Sequence, residues 1–156
     1  MNWIVGVTYK NEKDDPLGRN MKNEMLDIEI PVEKVNTMQA YFIKAQASQE
    51  QIKKACEELF ADSIIQEYQH TTEEDTIGFI KETDAWIIQV KNKPGVTDAV
   101  GESARKAMNM LGINTEEVHT ATTYTIKGQL TEEQIKTISE KILANPLIQE
   151  YKYVRK

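Results

Sequence analysis

Cysteine occurs once and histidine twice in this chain of 156 residues. A single thiol, Cys56, allows no intrachain disulfide and no cysteine-built metal site. His70 and His119 stand in no ligand spacing of the HExxH kind, so no metal site is expected. No serine lies in a GxSxG turn. Positive charge is also in deficit: 19 Lys and Arg against 25 Asp and Glu leave a net charge of −6, which repels phosphate backbones and argues against nucleic-acid binding. Long apolar runs are missing too. Trp3–Val7 is far too short for a signal-peptide core or a membrane span, so a cytoplasmic chain with no membrane partner is expected. What is present, 40% hydrophobic and 28% charged residues, suffices for one core or two small ones sharing an interface.

The chain contains one stretch twice. Val35–Tyr68 and Val118–Tyr151 align without a gap at an offset of 83 residues, and 16 of the 34 pairs are identical. Chance would give about two, so the period marks a duplicated supersecondary unit. The same shift carries Trp3 onto Trp86, Asp15 onto Asp98, Gly18 onto Gly101 and Met25 onto Met108. Two copies are too few for a solenoid. They suggest a fused pseudo-dimer, with a first repeat over 1–70, a connection over 71–85 and a second repeat over 86–156.

Local signals give each repeat the order strand, helix, strand, helix, strand. Asn2–Tyr9 and Trp86–Val90 read as strands. Asp15-Pro16 marks a helix start, Asp as N-cap and Pro at the first helical position. Leu17, Met21, Met25 and Ile28 then share one helical face. In the second copy Pro94-Gly95 suits the centre of a type II turn and Thr97 or Asp98 caps a helix. Val100, Ala104, Ala107, Met108 and Leu111 form that helix's inward stripe, and Gly112 ends it. Ser48–Gln51 and Thr131–Gln134 both fit the capping box. Ile52, Cys56, Leu59 and Phe60 follow one box, and Ile135, Ile138, Ile142 and Leu143 the other, each set on one face. Asn145-Pro146 stops the last helix, and Ile64–Tyr68 and Leu147–Tyr153 read as closing strands. The connection carries a small apolar knot, Ile77, Phe79 and Ile80, and is read as partly strand. The expected fold is α+β, with helices packed on an antiparallel sheet in two repeated units.

Residues able to do chemistry are few. His119 near a strand start reads as a surface or packing residue, and Cys56 on an apolar helix face as a buried thiol with no cation to stabilise its thiolate. The loop from Lys93 to Gly101 leads into a helix N-terminus and offers amides and a lysine to an anion, but one glycine makes a weak phosphate signal. A tight turn followed by a cap is the simpler reading. Glu73-Glu74-Asp75 and Glu116-Glu117 read as solvated surface. These residues alone point to a binding or assembly module.

Lys93-Pro94-Gly95-Val96, Asp98 and Gly101, the helix ending Leu111-Gly112, and Leu143-Ala144-Asn145-Pro146-Leu147 through Tyr151 together resemble the PurS family. The family pattern runs KPGV-x-DPxG, ALxxLG, LLANPxIExY. The first copy has Asn11-Glu12-Lys13-Asp14 where KPGV is sought, but Asp15-Pro16-Leu17-Gly18 matches DPxG. Thr120-Ala121-Thr122-Thr123 replaces an Arg-x-Gly-Lys-like element of the family, so contacts made by that element do not carry over. The resemblance implies a tandem form of the small, non-catalytic subunit of phosphoribosylformylglycinamidine synthase. Such a subunit joins a PurL-type synthetase to a PurQ-type glutaminase in purine biosynthesis, binding no cofactor while ATP and magnesium act on the synthetase. It implies Asp15, Pro16, Gly18, Lys93, Pro94, Gly95, Asp98 and Gly101 as partner-binding candidates, with further self-association open. A metabolite-sensing regulatory domain and the N-terminal domain of a longer synthetase are the alternatives.

Overall fold

The repeat in sequence is a repeat in structure. The computed structural model describes residues 2–73 and 76–156. The first repeat supplies β1 (Asn2–Tyr9), α1 (Pro16–Asp27), β2 (Lys34–Gln46), α2 (Gln49–Ala55) and β3 (Gln66–Thr71). The second supplies β4 (Trp86–Asn92), α3 (Ala99–Met110), β5 (Asn114–Lys127), α4 (Glu132–Ile138) and β6 (Gln149–Arg155). The fold is α+β, with one antiparallel sheet in the order β3-β1-β2-β5-β4-β6. Read from either end, this order is the same once the repeats are exchanged. Register is kept as well: Val7 faces Tyr68 across β1 and β3, and Val90 faces Tyr151 across β4 and β6.

The helices begin as the sequence specifies. Asp15 and Asp98 each accept the N–H of the glycine three residues on, and Pro16 occupies the first turn of α1. Both capping boxes close, Ser48 with Gln51 and Thr131 with Gln134. Each second helix then widens into one π-helical turn, Cys56–Phe60 and Ser139–Leu143. The N–H groups of Ala61 and Ala144 reach back five residues to Cys56 and Ser139. That extra residue breaks the 3.6-residue stripe. Cys56 and Ser139, four residues after Ile52 and Ile135, stay fully inward, while Leu59 beyond them is left 37% exposed. Phe60 instead stacks on Tyr41, with ring centroids 4.3 Å apart.

Packing cuts across the repeats. One compact unit comprises residues 1–10, 39–80 and 97–121; the other comprises 11–38, 81–96 and 122–156. The first has a core of Val5, Val7, Ile43, Ile52 and Cys56 closed by Met108 of α3, Val118 of β5 and Ile113 in the turn between them. The second joins Met25, Ile30 and Val35 to Ile88, Val90, Ile126, Ile135 and Ile138. Neither core is built from a single repeat. The first helix of each repeat closes the core that holds the other repeat's second helix.

Several sequence expectations are corrected. Leu17 and Val100 are exposed rather than inward, because the adjacent Gly18 and Gly101 take the close approach to the sheet, and Ile28 is exposed where α1 has already ended. Ile64 and Leu147 precede their strands in turns and are 82% and 83% exposed. The connection contains a 3-10 turn at Ile77–Phe79, not a strand. Ile80 beside it is buried, and the Gln69 amide donates to the Phe79 carbonyl at 3.3 Å. Glu74 and Asp75 of the acidic run lie outside the described residues. Among the described residues, no helix is long and apolar enough to cross a membrane.

Candidate functional site

The sequence candidates fall into two kinds of place. Asp15 is buried and its carboxylate is occupied. It accepts the Gly18 N–H at 2.8 Å, the Thr37 N–H at 2.8 Å and the Thr37 hydroxyl at 2.9 Å. Asp98 repeats the arrangement half-buried, accepting the Gly101 N–H at 2.8 Å, the Thr120 N–H at 2.6 Å and the Thr120 hydroxyl at 3.0 Å. Each aspartate thus caps a helix and ties its start to the next strand. The glycines let that strand come close. A Cβ on Gly18 would lie 2.6 Å from the Val35 carbonyl oxygen, and one on Gly101 2.3 Å from that of Val118. Asp15, Gly18, Asp98 and Gly101 therefore act inside the fold, whereas Pro16, Lys93, Pro94 and Gly95 are exposed.

The turn at Lys93 forms as its composition dictates. The Val96 N–H donates to the Lys93 carbonyl at 3.1 Å, and Gly95 takes φ 85°, open to glycine without strain. Lys93 is not a free cation, however. Its ammonium donates to the Pro146 carbonyl at 2.6 Å and its N–H to the Ile148 carbonyl at 2.9 Å. Lys10 does the same in the first repeat, its ammonium reaching the Ser63 carbonyl at 2.6 Å and its N–H the Ile65 carbonyl at 2.9 Å. Lys10 lies 83 residues before Lys93, so the first copy retains the lysine of KPGV. What it lacks is the Pro-Gly turn, replaced by a 3-10 turn at Glu12–Asp14. Sequence reasoning matched the turns one residue out of step and missed this pair, although the repeat offset alone would have found it.

Beside Lys93 a shallow groove of about 320 Å³ runs between Glu140, Ala144, Pro146, Gln149 and Tyr151. The Tyr151 hydroxyl donates to Glu140 at 2.8 Å, which holds its phenol above the usual range. Tyr68 and Glu57 form the corresponding pair at 2.8 Å, and desolvation together with that bond pushes the Tyr68 phenol up to about 12. Burial does the same to the Cys56 thiol, also pushed up to about 12, so its nucleophilic thiolate is suppressed. His119 is exposed, 3.8 Å from Glu117, and His70 packs edge-on to Trp3. Among the described residues no three His, Cys, Asp or Glu side chains converge on a common point. Of the partner-binding candidates, Lys93, Pro94 and Gly95 lie on an exposed turn held by internal hydrogen bonds, and Pro16 opens α1 at the surface.

The family model described as PurS: phosphoribosylformylglycinamidine (FGAM) synthase matches the chain twice, over residues 2–74 and 85–156. The chain belongs to the PurS family. No curated protein matches the sequence. The two matched segments coincide with the two structural repeats, so this is a tandem of two PurS units, consistent with a fused PurS dimer.

Proposed function

We propose that this chain is a non-catalytic, tandem PurS subunit that helps bring a glutaminase and an ATP-dependent synthetase together for ammonia transfer in purine biosynthesis. The observation that carries this reading is the double family match laid over a structure whose two cores each draw on both repeats. A fused pair of this kind keeps its two halves at high effective concentration and lets their surfaces diverge. Divergence has occurred at the exposed turns, where Glu12–Asp14 faces solvent in one repeat and Pro94-Gly95 in the other. In this reading the two turns serve different partners. Pro16, Lys93, Pro94 and Gly95 are the contact candidates, while Asp15, Gly18, Asp98 and Gly101 shape the surface from beneath. ATP and magnesium then belong to the synthetase, and the complex works in the cytoplasm.

The test is reconstitution. The purified chain is mixed with a PurL-type synthetase and a PurQ-type glutaminase in the presence of glutamine, magnesium and ADP, then passed over a sizing column. Co-elution and glutamine-dependent FGAM formation that requires this chain are the expected results. Separate elution, together with a thermal shift produced by an amino acid or nucleotide on the chain alone, would support a metabolite sensor instead.

A further inference from the structure

Both repeats spend five equivalent hydrogen bonds on one short turn. In the first, the Asp62 carboxylate accepts the Ile64 N–H at 2.9 Å, and the Gln66 amide oxygen accepts the Asp62 N–H at 2.8 Å. The Lys10 ammonium and N–H hold the carbonyls of Ser63 and Ile65, and the Gln66 N–H donates to the Asp62 carbonyl at 2.7 Å. In the second, the Asn145 side chain accepts the Leu147 N–H at 3.1 Å, and Gln149 accepts the Asn145 N–H at 2.8 Å. Lys93 holds the carbonyls of Pro146 and Ile148, and the Gln149 N–H donates to the Asn145 carbonyl at 2.7 Å. The side chain each clamp displays most fully is aliphatic, Ile64 at 82% exposure and Leu147 at 83%, with Ile148 at 45% beside the second.

A lone exposed aliphatic residue needs no explanation. These two are not casual. The clamp has accepted Asp for Asn and Ser for Pro between the copies, yet the tip is aliphatic in both, where a polar side chain would cost the fold nothing. A backbone frozen before contact loses little entropy on binding, so an apolar tip on such a turn is pre-organised for a socket. The surroundings say what rims that socket. Both lysines are turned inward onto carbonyls, while Asp62 sits in the first turn and Glu140 and Glu150, the latter 3.7 Å from Lys91, line the groove at Pro146 in the second. A second copy of this chain, with net charge −6 and the same acidic setting, is a poor match for that surface.

We propose that Ile64 and Leu147 are two docking pegs, each seating in an apolar socket with a basic rim on another protein subunit of the synthase. This rests on the assembly reading above and names the surface that reading leaves open. The test compares the intact chain with Ile64→Ser, Leu147→Ser and the double variant for binding to the synthetase and glutaminase by titration calorimetry. Thermal unfolding should be unchanged, since neither side chain is buried. Each single variant should weaken one subunit's binding about tenfold, and the double variant should form no complex. Ile64→Leu and Leu147→Ile should bind as the parent does, and added salt should weaken every complex. Serine variants that bind like an assembling parent would overturn the pegs and leave the assembly reading standing. A parent that binds neither subunit would overturn both. Loss of self-association with subunit binding intact would put a second copy on the pegs and overturn the proposed partner.

Discussion

The two repeats build the same latch at different depths. Asp15 is 3% exposed and tied to Thr37, while Asp98 makes the same bonds to Thr120 half in solvent. The Cβ that Gly18 lacks would sit 2.6 Å from a backbone carbonyl, and that of Gly101 only 2.3 Å. The duplicated geometry has thus been kept by backbone approach and capping, both indifferent to the residues around them. Chemistry has drifted where a different side chain can meet the same need, as at Cys56 and Ser139 or Glu29 and Gly112.

The largest effect should come from separating the repeats. Met25, Ile30 and Val35 bury against strands of the second repeat, and Met108, Ile113 and Val118 against strands of the first. Residues 1–73 expressed alone should therefore show no cooperative unfolding as a monomer. Sedimentation with circular dichroism would decide it, and a folded monomer would break the claim that the cores are shared.

Next come the latches. Gly101→Ala drives a methyl into a carbonyl that cannot retreat; overpacking of about 3 kcal/mol should outweigh a helix-propensity gain of about 1. Gly18→Ala should cost slightly less. Asp15→Ala removes a cap and strands the Thr37 donors out of water, for about 3 kcal/mol in all. Asp98→Ala should cost about half as much, because solvent reaches Thr120. Urea midpoints at constant slope measure all four. Equal losses at Asp15 and Asp98 would show that burial does not set the difference.

Fold class, capping and the pairing of repeats were legible because they rest on local rules and on a long identity-rich offset. The helix faces were legible only in part. Val100 and Leu17 have the right spacing for the core, but the glycine beside each brings the helix so near the strand that Gly18 and Gly101 occupy the interface instead. Nor does helical periodicity announce a π turn, so spacing alone puts Leu59 inward with its neighbours. The site was harder still. Lys93 was visible as a cation before a helix, whereas its true partner, the Pro146 carbonyl, lies 53 residues away. Ile64 and Leu147 looked like strand residues because aliphatic runs before Gln-Glu-Tyr carry no mark of exposure.

A smaller effect separates Cys56 from Ser139. Ser139 donates to the Ile135 carbonyl at 2.8 Å, and Cys56→Ser would find the carbonyl of Ile52 similarly placed, so a loss of about 1 kcal/mol is expected. The pH dependence has a definite sign. Burial raises the Cys56 thiol from 9.0 to about 12, so the unfolded chain ionises first. Its contribution is whole below pH 9 and drains away as pH climbs toward 12. Tyr68 and Tyr153, raised from 10.0 to about 12, add to the same alkaline loss. Cys56→Ser should remove the earliest part of that decline in urea midpoints and leave the tyrosine part. In the native protein at pH 8, a thiol reagent should react only as fast as the chain opens.

The smallest effect tests a single backbone angle. Both first helices end with a residue in the left-handed region, Gly112 at φ 84° and Glu29 at φ 64°. In each case the next N–H, of Ile113 or Ile30, reaches back to the carbonyl of Met108 or Met25 at 3.0 Å. Glycine meets this angle freely, while a residue with a Cβ is strained there by roughly 1 kcal/mol. Glu29→Gly therefore relieves strain but adds freedom to the unfolded chain, and a net gain of about 0.5 kcal/mol should remain. Gly112→Ala makes the opposite exchange and should lose about 1 kcal/mol. The signs matter more than the sizes, because both changes leave buried contacts untouched. If Glu29→Gly destabilised the protein, the glutamate would be contributing something its exposed position does not suggest, and the first repeat would have departed from the second by selection rather than drift.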